Sequence, residues 1–108
     1  MDHFSIIWTK TAEKDLLEIV EYISKDSLDS AQKIYQRLKK TSQSLAAMPY
    51  KGIPLPELSI LGIEIFREVI EHPWRIIYRV QEDKVLLLTI IDGRRNVEDL
   101  IFNKIMDL

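Results

Sequence analysis

A chain of 108 residues can bury one core and is expected to fold as one domain, 1–108. With 46% hydrophobic and 30% charged residues it is not a disordered chain, and the absence of cysteine excludes a disulfide framework and any thiolate metal site. A net charge of −2, from 17 acidic and 15 basic residues, opposes a long nucleic-acid footprint, so any anion-binding surface must be local.

His3 and His72 stand far apart and read as solvated side chains, so no metal and no cofactor is expected. Three glycines in all leave little material for a phosphate-cradling loop. No apolar run approaches the roughly 20 residues that span a bilayer. The start, Met1-Asp2-His3-Phe4, lacks the basic stretch and apolar segment of a secretory leader. These readings place the protein in the cytoplasm, with no membrane partner.

Phe4-Ser5-Ile6-Ile7-Trp8 is short, apolar and β-prone, and reads as a strand. Thr9 or Thr11 can cap a helix whose stripe is Ala12, Leu16, Ile19 and Ile23. Glu13, Asp15, Glu18 and Glu21 fall off that stripe and read as a solvated face. Asp26 and Ser27 begin a second helix with the stripe Ala31, Ile34, Leu38, Leu45 and Met48, stopped by Pro49. Two amphipathic helices with a short link make a helical hairpin.

Residues 49–62 hold three of the four prolines and two of the three glycines, which predicts a surface loop with 53–56 extended. Three strands follow. Residues 64–70 are half-polar. In 74–80, Trp74, Ile76, Tyr78 and Val80 share one face, and Arg75, Ile77 and Arg79 the other. Trp74 reads as core. Residues 85–91 are apolar almost throughout, which predicts a central strand covered on both faces. The links at His72-Pro73 and 81–84 are hairpin-sized, so the strands form an antiparallel meander. Asn96 and Asp99 form a capping pair, and Val97, Leu100, Ile101 and Ile105 give a short amphipathic C-terminal helix. The expected class is α+β, with the helices on one face of a small sheet.

One pattern runs nearly the whole length of the chain: Trp8, Ala12, Asp15-Leu16 and Tyr22-Ile23, then Leu45, Pro49, Gly52 and Pro56-Glu57-Leu58, then Phe66-Arg67-Glu68, Trp74-Arg75-Ile76-Ile77-Tyr78-Arg79-Val80 and Gly93-Arg94-Arg95. In these residues the chain resembles the RelE/ParE superfamily of toxins, also known as plasmid stabilisation proteins. The resemblance implies a helical hairpin on an antiparallel-dominated sheet, and a toxin neutralised by a cognate antitoxin, with operator DNA reached only through that antitoxin.

Within the superfamily, RelE-like members cleave mRNA on the ribosome. That reaction needs a base for the 2′-hydroxyl, cations for the phosphate and an acid for the leaving oxygen. Arg67 and Arg75 are candidates for the cations, and Lys51 and Glu57 for the loop groups. No Tyr or His follows Arg95, and Asp92 puts negative charge where relatives often carry His. ParE-like members use the scaffold without a nuclease site and poison DNA gyrase, and the departures favour that branch. The endonuclease, and an inactive module that only binds antitoxin, stay open as alternatives.

Five of the six arginines, Arg67, Arg75, Arg79, Arg94 and Arg95, lie between 67 and 95 and are the target-binding candidates. Arginine suits bidentate recognition of carboxylate or phosphate. The same stretch holds Glu68, Glu71, Glu82, Asp83 and Asp92, so cross-strand ion pairs can absorb every arginine. The expected antitoxin surface is the helical hairpin and the sheet edge.

Overall fold

The computed structural model describes residues 3–106. Met1 and Asp2, which open the segment read for a leader, lie outside the described residues. In chain order come β1 (Ser5–Trp8), α1 (Lys10–Ser24), α2 (Leu28–Gln43), a 3-10 turn (Ser44–Ala46), β2 (Ile53–Pro54), α3 (Pro56–Ser59), β3 (Phe66–Glu71), β4 (Trp74–Gln81), β5 (Lys84–Asp92) and α4 (Val97–Met106). The α+β class, the helical hairpin, the antiparallel β3–β4–β5 meander and the final helix agree with the sequence.

One hydroxyl starts α1 and ties it to the sheet. Thr9 Oγ1 accepts from Ala12 N (3.2 Å) and donates to the Leu87 carbonyl (2.7 Å). Ser27 caps α2 by accepting from Ser30 N at 3.0 Å. The helical stripes then face the sheet: Ala12, Leu16, Leu38 and Leu45 pack against Trp74, Ile76, Tyr78, Val85, Leu87 and Ile90. Met48, read as the end of the second stripe, is 60% exposed. α2 ends at Gln43, and the tighter 3-10 turn puts the following residues out of phase with a 3.6-residue stripe.

The strand order is β1-β5-β4-β3-β2, with β1 parallel to β5 and the other neighbours antiparallel. β4, rather than the more apolar β5, is central; β5 is interior because β1 pairs along its outer edge. The alternation in β4 holds. Trp74, Ile76 and Tyr78 face the hairpin, while Ile77 joins Leu55, Leu58, Ile91 and Ile101 on the other face. A register shift pairs Ile77 with Thr89 but Tyr78 with Leu87, leaving Leu88 as the extra residue of a bulge in β5.

Contrary to the expectation from the sequence, the helices therefore do not share one face. The hairpin covers one face, and α3 with α4 covers part of the other. An interior strand apolar on both sides needs cover on both, and α4 supplies the second. The segment 49–62 is likewise more than a surface loop. It contains β2 and α3, and it buries Leu55 and Leu58. No helix among the described residues is long and apolar enough to cross a membrane.

Asp15 departs furthest from its sequence reading. Expected on a solvated face, it is 5% exposed. β1 stops at Trp8, opposite Leu87, so beyond that point β5 has no strand on its outer edge among the described residues. The Asp15 carboxylate fills the place. It accepts from Ile90 N (3.1 Å), from the Thr89 hydroxyl, and from Lys104 Nζ of α4 (2.7 Å). Asp15→Ala leaves a backbone N–H and a hydroxyl unpaired in the core, with an expected loss of roughly 3 kcal/mol. Asp15→Asn, which keeps an acceptor oxygen, should lose less. Urea denaturation of both variants checks the order; equal losses would show that the volume of the side chain matters and its hydrogen bonds do not.

Candidate target-binding site

The alternation of β3 and β4 decides where each arginine points. Arg67 pairs in register with Tyr78, and both belong to the face covered by the hairpin. Arg75 and Arg79 share the opposite face with Ile77. The arginines that look like one cluster in sequence are thus divided by the sheet itself.

On the hairpin side Arg67 is occupied with the β2 edge. Its Nη1 donates to the Gly52 carbonyl at 2.5 Å, and its guanidinium lies 5.2 Å from the Tyr50 ring centre. Beneath it, the buried Tyr78 hydroxyl donates to the Pro49 carbonyl (2.8 Å) and accepts from Gly52 N (3.1 Å). Burial raises the Tyr78 pKa. A Cβ at position 52 would stand 2.4 Å from the Glu68 carbonyl and 2.5 Å from the Tyr78 hydroxyl, so only glycine fits there. Lys51 turns to the end of the hairpin, where Nζ donates to Ser44 Oγ at 3.1 Å.

On the opposite face Arg75 is clasped by two carboxylates. Nη1 and Nη2 donate to the two Glu57 oxygens at 2.9 and 2.7 Å, and Nε donates to Glu68. The three side chains are 13%, 22% and 6% exposed. Hydrogen bonds from Arg75 hold the Glu57 carboxyl below the ordinary glutamate range, and the pair in turn raises Arg75. Two of the four residues named for a nuclease reaction, Glu57 and Arg75, are therefore brought together, but as each other's partners. Glu68, one of the acids the sequence offers for cross-strand ion pairs, takes that part with Arg75. The register makes Glu68 a diagonal neighbour of Arg75 across β3 and β4, a signal readable only once the hairpin turn is placed.

Gly93, Arg94 and Arg95 follow β5. Gly93 N donates to the Pro73 carbonyl (2.8 Å), and a Cβ there would sit 3.0 Å from that oxygen and 3.3 Å from the Arg75 side chain. The glycine of this motif thus serves a close backbone approach. Arg94 forms a two-point pair with Asp92, Nε to Oδ1 at 3.0 Å and Nη2 to Oδ2 at 2.8 Å. That pair holds the Asp92 carboxyl at about 2. Arg94 and Arg95 line a groove of 650 Å³ between α1, the ends of β4 and β5, and α4, whose walls include Tyr22, Trp74 and Leu100. Arg95 makes no ion pair among the described residues. Arg79 lies apart from all of these, in a slot of 300 Å³ with Thr9, Phe66, Leu86, Leu88 and Ile105. Its Nε is buried and has no hydrogen-bond partner.

Removing Arg75 leaves two carboxylates facing each other in a mostly buried place. Arg75→Met is expected to cost roughly 3 kcal/mol, read as a lower urea midpoint at pH 7. A loss below about 0.5 kcal/mol, the usual size of a surface change, would make the clasp a solvated pair. The pH dependence has a defined sign. Glu57 has a lower pKa folded than unfolded, so its contribution is complete above the ordinary glutamate value of about 4.3 and is lost as pH falls through its depressed folded value. The urea midpoint should drop below about pH 4, and Glu57→Gln should flatten that drop. Equal slopes in the two proteins would remove Glu57 from the acid transition.

Over residues 6–97 the sequence matches the ParE toxins of type II toxin–antitoxin systems. No protein of curated function matches it. Among solved structures the fold is similar to a chain of the chromosomal ParDE toxin–antitoxin system of P. aeruginosa, at 22% identity and a TM-score of 0.68 over 83% of this chain and 96% of that one. It is also similar to a chain of the RelBE2 toxin–antitoxin complex of Mycobacterium tuberculosis, at 20% identity and a TM-score of 0.63 over 85% and 93%. The strand order, the helical hairpin and the match along most of the sequence agree, and the chain belongs to the ParE toxin family of type II toxin–antitoxin systems.

Proposed function

We propose that the chain arrests growth by poisoning DNA gyrase, without nuclease chemistry of its own, and that a cognate antitoxin neutralises it. The observation that carries this reading is the clasp of Arg75 by Glu57 and Glu68. RNA cleavage needs cations that converge on one phosphate, beside a free base. Here Arg67 and Arg75 leave the sheet on opposite faces, Glu57 is tied to Arg75, and Lys51 turns away toward Ser44. No Tyr or His follows Arg95 to act as the acid. The family match is to the ParE branch, which supports the same side.

The similar structures come from toxin–antitoxin complexes, which supports an antitoxin as the direct partner of this chain. Operator DNA would then be reached through that antitoxin, as the net charge of −2 favours.

The test is a supercoiling reaction with purified DNA gyrase and the toxin freed of antitoxin. The expected result is loss of supercoiling together with linear plasmid released by protease, the sign of a trapped cleaved complex. Unimpaired supercoiling with folded toxin in excess, accompanied by cut mRNA on translating ribosomes, would establish the RelE-like reading instead. Absence of both, with no toxicity in cells, would leave an inactive antitoxin-binding module.

A further inference from the structure

Arg79 is placed unlike any other arginine of the sheet. Arg75 has two carboxylates, Arg94 has Asp92, Arg37 has Glu71, and Arg67 has a carbonyl. Arg79 stands opposite Phe66 on β3 and opposite Leu86 on β5, neither of which carries a side-chain acceptor, and its diagonal neighbour Glu68 is engaged by Arg75. Its Nε is buried without a hydrogen bond. A buried donor left without a partner is a penalty that native folds seldom carry without a reason. The slot around it is 300 Å³, about the size of one or two side chains, and is walled by Phe66, Leu86, Leu88 and Ile105. The one other polar group there, the Thr9 hydroxyl, already serves β5 and the cap of α1.

We infer that this slot binds a carboxylate-bearing, otherwise aliphatic stretch of the antitoxin, with the carboxylate on the Arg79 guanidinium and an adjacent apolar side chain against Leu88 and Ile105. This rests on the antitoxin reading above and gives it an anchor on the sheet face away from the helical hairpin. Walls of this kind favour a peptide over nucleic acid. A strand of RNA would meet one cation and four apolar side chains, whereas phosphate binding draws its affinity from several cations along the backbone. A peptide that alternates acid and aliphatic residues satisfies both the guanidinium and the walls, and a charge pair made there loses its water, as strong anchors at interfaces do.

The experiment measures binding of the full-length antitoxin to the toxin by calorimetry. Two variants are compared with the parent chain. Arg79→Met keeps the aliphatic stem and removes the charge. Leu86→Glu places a carboxylate directly opposite Arg79 in the ladder, where it competes from within. Each is expected to weaken antitoxin binding roughly tenfold or more, while the free toxin melts no lower than the parent. Weaker binding that appears only with a lower melting temperature would mark Arg79 as a structural residue and overturn the inference. So would an unchanged Kd in both variants. Loss of a fluorescent single-stranded RNA oligonucleotide by Arg79→Met, with antitoxin binding intact, would give the slot to nucleic acid. If the parent chain itself fails to bind the antitoxin, the partner reading and this inference fall together; failure in the variants alone leaves the partner reading standing.

Discussion

The outer edge of β5 is the constraint around which this fold is arranged. β5 is apolar on both sides, so it must lie inside the sheet, and every N–H along it needs a partner. β1 meets this need only as far as Leu87, because Thr9 then leaves the strand to cap α1. Asp15, one and a half turns into that helix, takes over with a single carboxylate that binds the Thr89 hydroxyl and Ile90 N. Its remaining oxygen draws Lys104 of α4 toward the same place. One buried side chain therefore joins the first helix, the edge of the sheet and the last helix. A buried carboxylate is tolerable there because three donors offset its lost hydration.

The second constraint is the parity of the strands. Alternation assigns Arg67 to one face of the sheet and Arg75 with Arg79 to the other, and no side-chain rotation reverses that. Each face then treats its arginines by what lies nearby. Gly52 and Tyr50 engage Arg67 at the β2 edge. α3 brings Glu57 over Arg75, helped by Pro56, whose fixed φ suits the first turn of a helix. Arg79, beyond the reach of α3 and flanked by Phe66 and Leu86, is left with a buried nitrogen that has no acceptor.

Periodicity made most of the elements legible. The helical stripes, the caps at Thr9 and Ser27 and the alternation in β4 rest on local chemistry, and the structure reproduces them. What failed was non-local. Asp15 looks like any acid on a polar helix face, and nothing near it in sequence announces Thr89 or Lys104, 74 and 89 residues away. The place of α4 on the far face follows from the two-sided apolar run in β5, which needs cover on both faces. Met48 was misread because the change from α to 3-10 geometry has no composition signal. For the candidate site, residue types and the pairing of arginines with nearby acids were legible, and the particular partners were not. Glu57 and Arg75 were both named, yet their being partners depends on a one-turn helix that the proline-rich segment concealed.

Those partnerships bear on chemistry more than the residue types do. A nuclease centre requires a base, an acid and cations converging within hydrogen-bond reach of one phosphate. A protein that disables another protein requires less: a few anchors that lose water on contact, surrounded by surface that excludes solvent. In this sheet the arginines lie on both faces, and the Arg75 guanidinium is held by Glu57 and Glu68. The same economy explains how an acidic chain can carry an arginine-rich motif. Asp92, Glu57 and Glu68 neutralise the arginines that shape the scaffold. What is left for recognition is the few cations without an internal acid, and those discriminate by the shape and polarity of their surroundings. An apolar wall beside a single guanidinium selects for one carboxylate in an aliphatic context, a far narrower specification than positive charge alone.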